Sequence, residues 1–326
     1  MTPDLLTDAP ASFDEGRLAS GDGHSLWYAQ YGNPQGMPLF WLHGGPGSGS
    51  SLRHIGLIDL ARYRLVLSDQ RGCGRSLPLG ALQHNETRLL VDDIDRLRTH
   101  LQIGRMVVGG GSWGATLALL YAARHRANVA ALLLRAPFLA GKAEIDAFFD
   151  PPADGPHGNR DAFATLAELS PPSERQCLLP WLARQLASSG PDQCARIASA
   201  WSRHERQQES GSAAIAQPAV DDAMIARYRI QAHYLLNACF LGIDEVLSAA
   251  RALHGLPVAI LHGAADRVCP PQNARLLQRC LPQSRVRMVE GAGHEPFHPG
   301  MAAALMEALD CYARNAHFEG WGTGHG

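Results

Sequence analysis

A β-branched run, Met106-Val107-Val108, feeds into Gly109-Gly110-Gly111-Ser112-Trp113-Gly114 and then the apolar, helix-forming Ala115-Thr116-Leu117-Ala118-Leu119. This pattern predicts a strand, a sharp turn and a helix, with Ser112 at the apex inside a G-x-S-x-G frame. A serine held on so tight a turn is lifted clear of the sheet and offers its hydroxyl as a nucleophile. The glycines are needed because side chains on either side would strike the neighbouring strand or helix. The same letters also fit G-x-G-x-x-G, a dinucleotide fingerprint. That motif expects an acid at the end of the following strand, where Leu132-Leu133-Leu134-Arg135 has none, and it belongs in the first βαβ unit rather than deep in the chain. A third reading, a glycine turn with an ordinary serine, explains less of the pattern.

A serine nucleophile needs a base, and the base needs an orienting acid. Two late strands end in suitable loops: Leu261-His262-Gly263-Ala264-Ala265-Asp266 and Val289-Glu290-Gly291-Ala292-Gly293-His294. In this reading His294 takes the proton from Ser112 and Asp266 fixes the imidazole, with Glu290, Glu295 and His43 as competitors for these roles. The backbone N–H groups of Trp113 and of Gly44 or Gly45, in His43-Gly44-Gly45-Pro46-Gly47, are the candidate oxyanion donors. Ser112, Asp266, His294 is the chain order of the α/β-hydrolase arrangement.

The elements that must position these residues follow the same plan. Residues 13–36 predict two strands joined at Gly21-Asp22-Gly23. Pro38–Leu42, Tyr63–Ser68, Met106–Gly110, Val129–Leu134, Pro257–His262 and Arg285–Val289 read as buried strands, alternating with helices. This predicts an α/β fold with a mostly parallel sheet covered on both faces. In the helix expected at 87–101, Asp92, Asp93, Asp95, Arg96 and Arg98 read as a solvated face. Between Leu139 and Glu245 the rhythm changes to prolines (Pro151 to Pro156, Pro171-Pro172) and helices near 175–186, 192–206 and 221–241. Residues 139–245 are therefore expected to form a helical cap on a core made of 1–138 and 246–326. A last helix is expected at 300–313, and the glycine-rich tail from His317 to Gly326 is expected to fray.

Bulk properties narrow the function. At 326 residues and 46% hydrophobic, the chain is long enough for one large core with a small second region. A net charge of −2 gives no reason to expect nucleic acid or an anionic membrane as partner. No apolar run is long enough to span a bilayer, and the acidic start does not read as a signal peptide. Seven cysteines without C-x-x-C spacing read as free thiols in a cytoplasmic protein. Cys73 and Cys269 fall in loops near the predicted site, where small buried fillers are expected.

His43-Gly44-Gly45-Pro46-Gly47, Asp69-Gln70-Arg71-Gly72-Cys73-Gly74-Arg75-Ser76 and Gly110-Gly111-Ser112-Trp113-Gly114 together resemble the prolyl aminopeptidases (proline iminopeptidases). The likeness continues in His262-Gly263-Ala264-Ala265-Asp266-Arg267-Val268-Cys269-Pro270 and Gly291-Ala292-Gly293-His294. It implies release of an N-terminal residue, preferentially proline, from a small peptide or amide, with no metal and no cofactor. It also implies that Glu205, in Trp201-Ser202-Arg203-His204-Glu205, binds the substrate's α-ammonium. His204 stands where the family has a second aromatic residue, and Gln231, in Ile230-Gln231-Ala232-His233-Tyr234, where it has a second glutamate. Phe138 matches the aromatic wall of the proline pocket, and it reads equally as packing at a strand end. Two other functions remain open: an esterase or amidase for another small acyl group, and a non-catalytic binding protein on the same fold.

Overall fold

The computed structural model describes residues 10–149, 157–210 and 219–322. The expected proline segment 151–156 and the last four residues of the tail lie outside the described residues. Eight strands form one sheet: β1 Asp14–Ala19, β2 Ser25–Gly32, β3 Met37–Leu42, β4 Tyr63–Ser68, β5 Met106–Gly111, β6 Val129–Arg135, β7 Val258–Gly263 and β8 Arg285–Val289. Their spatial order is β1-β2-β4-β3-β5-β6-β7-β8. The β1–β2 and β2–β4 pairs are antiparallel, and every pair from β4 to β8 is parallel. The parallel strands read as continuous apolar runs because both faces are covered.

Helices α1 Thr87–His100, α2 Trp113–Arg124, α8 Ile243–Arg251, α9 Gln272–Cys280 and α10 Pro299–Asn315 flank the sheet. Between β6 and β7 run α3 Lys142–Phe149, α4 His157–Ala167, α5 Leu178–Ser188, α6 Pro191–Ser210 and α7 Asp222–Leu236. Helix α8 spans the boundary expected at 245/246, and it packs on α2. The helix expected to run to Leu241 ends instead at Leu236. There Ala238, Cys239 and Phe240 take positive φ angles of 46°, 55° and 54°, which a right-handed helix cannot hold. Among the described residues no helix is long and apolar enough to cross a membrane.

Helix α2 shows how the site is anchored. Trp113 through Leu119 are all buried, so the first two turns of this helix have no solvent face. Ser112 precedes it at φ 56°, ψ −122°, a strained backbone for a residue with a side chain. A Cβ on Gly110 would lie 2.6 Å from the backbone of Gly114, and one on Gly114 would run into the Leu42 carbonyl. Only glycines allow this approach.

The charged face of α1 is not the solvated face its pattern suggests. Asp93 is buried and receives Arg71 through two hydrogen bonds, Nε to Oδ2 at 2.5 Å and Nη2 to Oδ1 at 2.9 Å. Arg71 is only 1% exposed, and its Nη1 donates to Asp22 Oδ2 and to the His84 carbonyl, both at 2.6 Å. Burial pushes the Asp93 carboxyl up, against the pull of Arg71. Asp95, half-buried, accepts from Tyr121 and Arg98. The tail also departs from expectation. Phe318 and Trp321 are buried, Phe318 against Tyr312, and the Trp321 indole N–H donates to the Ala304 carbonyl at 3.3 Å. The glycines there shape a return path along the core.

Removing one partner of a buried ion pair leaves the other charge stranded. Asp93→Ala is therefore expected to lower the unfolding free energy by about 3–5 kcal/mol. Asp92→Ala, which loses only the partly exposed pair with Arg124, should lower it by less than about 1 kcal/mol. Urea titration of the two variants checks the contrast, and equal effects would contradict the role given to Arg71.

Candidate active site

Parallel sheets present their ligand sites beyond the carboxyl ends of the strands, and all the sequence-predicted core residues gather there. Gly44 and Gly45 follow β3, Ser112 follows β5, Phe138 follows β6, Asp266 follows β7 and His294 follows β8. A cavity of about 290 Å³ is lined by Gly44, Gly45, Ser112, Phe138, Glu205, Gln231 and His294, among others. Asp266 lies behind His294, and Trp113 is wholly buried at the head of α2.

The candidate acid and base are joined by a hydrogen bond. His294 Nδ1 donates to Asp266 Oδ2 at 2.8 Å. The other carboxylate oxygen accepts the N–H groups of Val268 and Cys269, both at 2.9 Å. Burial opposes the Asp266 charge, but the His294 ring and hydrogen bonds from His262 and His294 outweigh it and hold the carboxyl well below the usual range. Arg135, fully buried, fixes the base from the other side: its Nη1 donates to the His294 carbonyl at 2.7 Å, and its own carbonyl accepts the Ser112 N–H at 2.9 Å. The Ser112 hydroxyl is turned toward Cys269, with Oγ and Sγ 3.8 Å apart. No hydrogen bond joins it to His294, a looseness common before substrate is bound. Burial pushes the Cys269 thiol far up, so it is a neutral neighbour of the serine.

The loop of the candidate oxyanion donors is equally ordered. A Cβ on Gly44 would sit 3.4 Å from the Ser112 Cβ, so the two loops touch. Among the described residues the N–H groups of Gly44, Gly45 and Trp113 meet no acceptor. His43 is structural here: its Nε2 accepts the Gln70 N–H at 3.0 Å, and burial lowers its basicity. Gln70 in turn donates to the His43 carbonyl at 2.9 Å and accepts the Trp113 indole N–H at 3.1 Å.

The residues from α6 and α7 are more altered by their surroundings. Glu205 is buried, not a solvated helix charge. Its Oε2 accepts Arg227 Nη2 at 2.5 Å and the Tyr228 hydroxyl at 2.8 Å, and its Oε1 accepts Gln231 Nε2 at 2.9 Å. Gln231 thus spends its donor on Glu205, leaving a buried Oε1 without a partner. His204 keeps an aromatic role, its ring set edge-on to Phe148 with centroids 4.9 Å apart. Phe138 lines the cavity while 8% exposed, serving as wall and packing at once.

Three charged residues of the site were not singled out by sequence. Arg227 neutralises Glu205. Glu209 lines the cavity one turn beyond Glu205, and its carboxyl is pushed up by burial and by the Glu205 charge. The four-residue spacing on one helix was the available signal. Glu144 accepts Asn273 Nδ2 at 2.6 Å and the Leu139 N–H at 3.1 Å, and burial pushes it up to about 7.

The arrangement can support nucleophilic acyl transfer: a strained serine, an imidazole backed by a carboxylate, and unpaired backbone donors opposite. Comparison with known proteins agrees in fold and family. The α/β-hydrolase fold family model matches residues 38–300. The proline iminopeptidase of Xylella fastidiosa is 39% identical over 306 residues, covering 92% of this chain and 96% of that protein. The Arabidopsis thaliana proline iminopeptidase is 36% identical over 301 residues, covering 91% of this chain and 79% of that one. Among solved structures, a proline iminopeptidase-related protein from Thermus thermophilus superposes with a TM-score of 0.57 at 23% identity, covering 93% of this chain and 97% of that one.

Glu144 yields a signed prediction. Its folded pKa is raised from 4.5 to about 7, so the folded chain holds a proton that the unfolded chain has released between those values. Stability from this group is present below the ordinary carboxyl range and is lost as pH rises to about 7, by at most on the order of 3 kcal/mol. Glu144→Gln removes the titration. Melting curves from pH 5 to 8 should show the wild type losing stability relative to the variant, and parallel profiles would contradict this assignment.

Proposed function

Since the chain belongs to the proline iminopeptidase family of serine hydrolases on the α/β-hydrolase fold, we propose that it releases N-terminal proline from small peptides or amides through an acyl-enzyme. The observation that carries the reading is the cavity shared by Ser112, Glu205 and His294, with Asp266 hydrogen-bonded behind the imidazole. In this reading Ser112 Oγ attacks the prolyl carbonyl as His294 takes its proton, and Asp266 stabilises the imidazolium. The N–H groups of Trp113 and of Gly44 or Gly45 receive the oxyanion. His294 then protonates the leaving amine, and water releases the proline by the reverse sequence. No step requires a metal or cofactor. Residues 139–245 act as the cap that closes the site, Phe138 walls the pyrrolidine ring, and Glu205 with Gln231 Oε1 receives the α-ammonium. We place the reaction in the cytoplasm.

A second reading, hydrolysis of an ester or amide lacking a free amine, is favoured by one observation: Glu205 is already neutralised by Arg227 at 2.5 Å. A prolyl anilide, its N-acetyl form and a short-chain ester separate the two. Cleavage of the free prolyl anilide over the acetylated form, abolished by Ser112→Ala, is expected. Glu205→Gln should raise KM for the prolyl anilide about tenfold, the loss of one hydrogen bond to a charged group. Turnover of the ester alone would select the second reading.

A further inference from the structure

In the mechanism above the leaving amine takes its proton from His294, so the departing part of the substrate lies on the His294 side of the cavity. A second cavity, of about 530 Å³, adjoins the first on that side. The two share Arg53, Glu209, Glu295 and Phe297 in their walls. The floor of the second is the backbone that carries the acid and the base: Ala265 and Arg267 flank Asp266, and Gly291 and Gly293 lead into His294. A Cβ on Gly293 would lie 2.9 Å from the Glu209 carbonyl, so α6 closes directly over this loop.

The charges along this path are ordered. Glu205 lines the first cavity alone and Arg267 the second alone, while Glu209, Glu295 and Arg53 stand on the wall they share, both arginines being exposed. The Arg53 guanidinium lies 3.8 Å over the Phe297 ring. Neither arginine forms an ion pair with the described residues, whereas Arg71, Arg75 and Arg227 all do. A short peptide carries the matching pattern, an ammonium at one end and a carboxylate at the other. Each residue after the first moves that carboxylate about 3.5 Å further from Ser112.

We propose that the second cavity is a leaving-group site for di- and tripeptides, in which Arg267 and Arg53 receive the free C-terminal carboxylate. The inference rests on the aminopeptidase reading and makes the enzyme one that finishes small peptides rather than trimming long chains.

The test compares kcat/KM for prolyl-alanine and prolyl-alaninamide, with a prolyl anilide as the reporter of aminopeptidase activity. At low ionic strength the wild type should favour the free acid about fivefold, the upper range for a partly exposed ion pair. The ratio should fall toward one at high salt and in the Arg53→Ala/Arg267→Ala double variant. The single variants should fall between. A wild-type ratio of one, or a preference that survives both substitutions, overturns the leaving-group site while anilide turnover leaves the aminopeptidase reading standing. No turnover of any of the three substrates removes both.

Discussion

Everything at this site depends on how closely the start of α2 is pressed onto the end of β3. Gly114 lies so near the Leu42 and His43 carbonyls that a methyl group does not fit between them, and Gly110 is held as tightly against Gly114. That contact bends the chain through Ser112 at φ 56° and brings the Gly44 loop against the serine. The strain is kept because the surroundings over-determine it: α2 is buried through its first two turns, and the Ser112 N–H and carbonyl are tied to Arg135 and to the start of the helix. Pre-organised donors opposite a strained hydroxyl are what acyl transfer requires.

The Asp69-Gln70-Arg71 string secures this geometry without lining the cavity. Three successive side chains reach in three directions. Asp69 accepts the N–H groups of Ser50 at 2.6 Å and Arg75 at 2.8 Å, closing the loop that begins at His43. Gln70 joins His43 to the Trp113 indole. Arg71 crosses to Asp93 on α1 and Asp22 in the β1–β2 turn. Buried ion pairs of this kind add little net stability relative to apolar packing, but they penalise misplacement severely. Here they set the register of the N-terminal hairpin, α1 and the loop after β3 together.

The strands, the loops at the sheet's carboxyl edge and the Ser112 turn are legible because each leaves a local signature: apolar runs, glycine clusters, and one acid and one histidine in successive loops. What escaped is non-local. Asp93 carries the same letter as Asp92, and only the arrival of Arg71, 22 positions away in the chain, takes it out of water. The tail from His317 reads as loose from its glycines, yet Phe318 and Trp321 find cover on α10, which the chain meets only after folding. Glu205 was identified through its motif, but its pairing with Arg227 on α7 depends on the crossing of two helices that periodicity does not fix.

That last pairing has a consequence for energetics. Any cation that reaches Glu205 does not enter a vacant seat. It exchanges with Arg227, and it gains only the difference between its own contacts and those of a guanidinium already 2.5 Å away. The exchange also displaces a positive charge into the surrounding cavity rather than cancelling a negative one. Ground-state affinity of such a seat is therefore shallow. In turnover that is no handicap, because affinity shared equally by substrate and transition state leaves kcat unchanged and only moves the concentration at which the enzyme saturates.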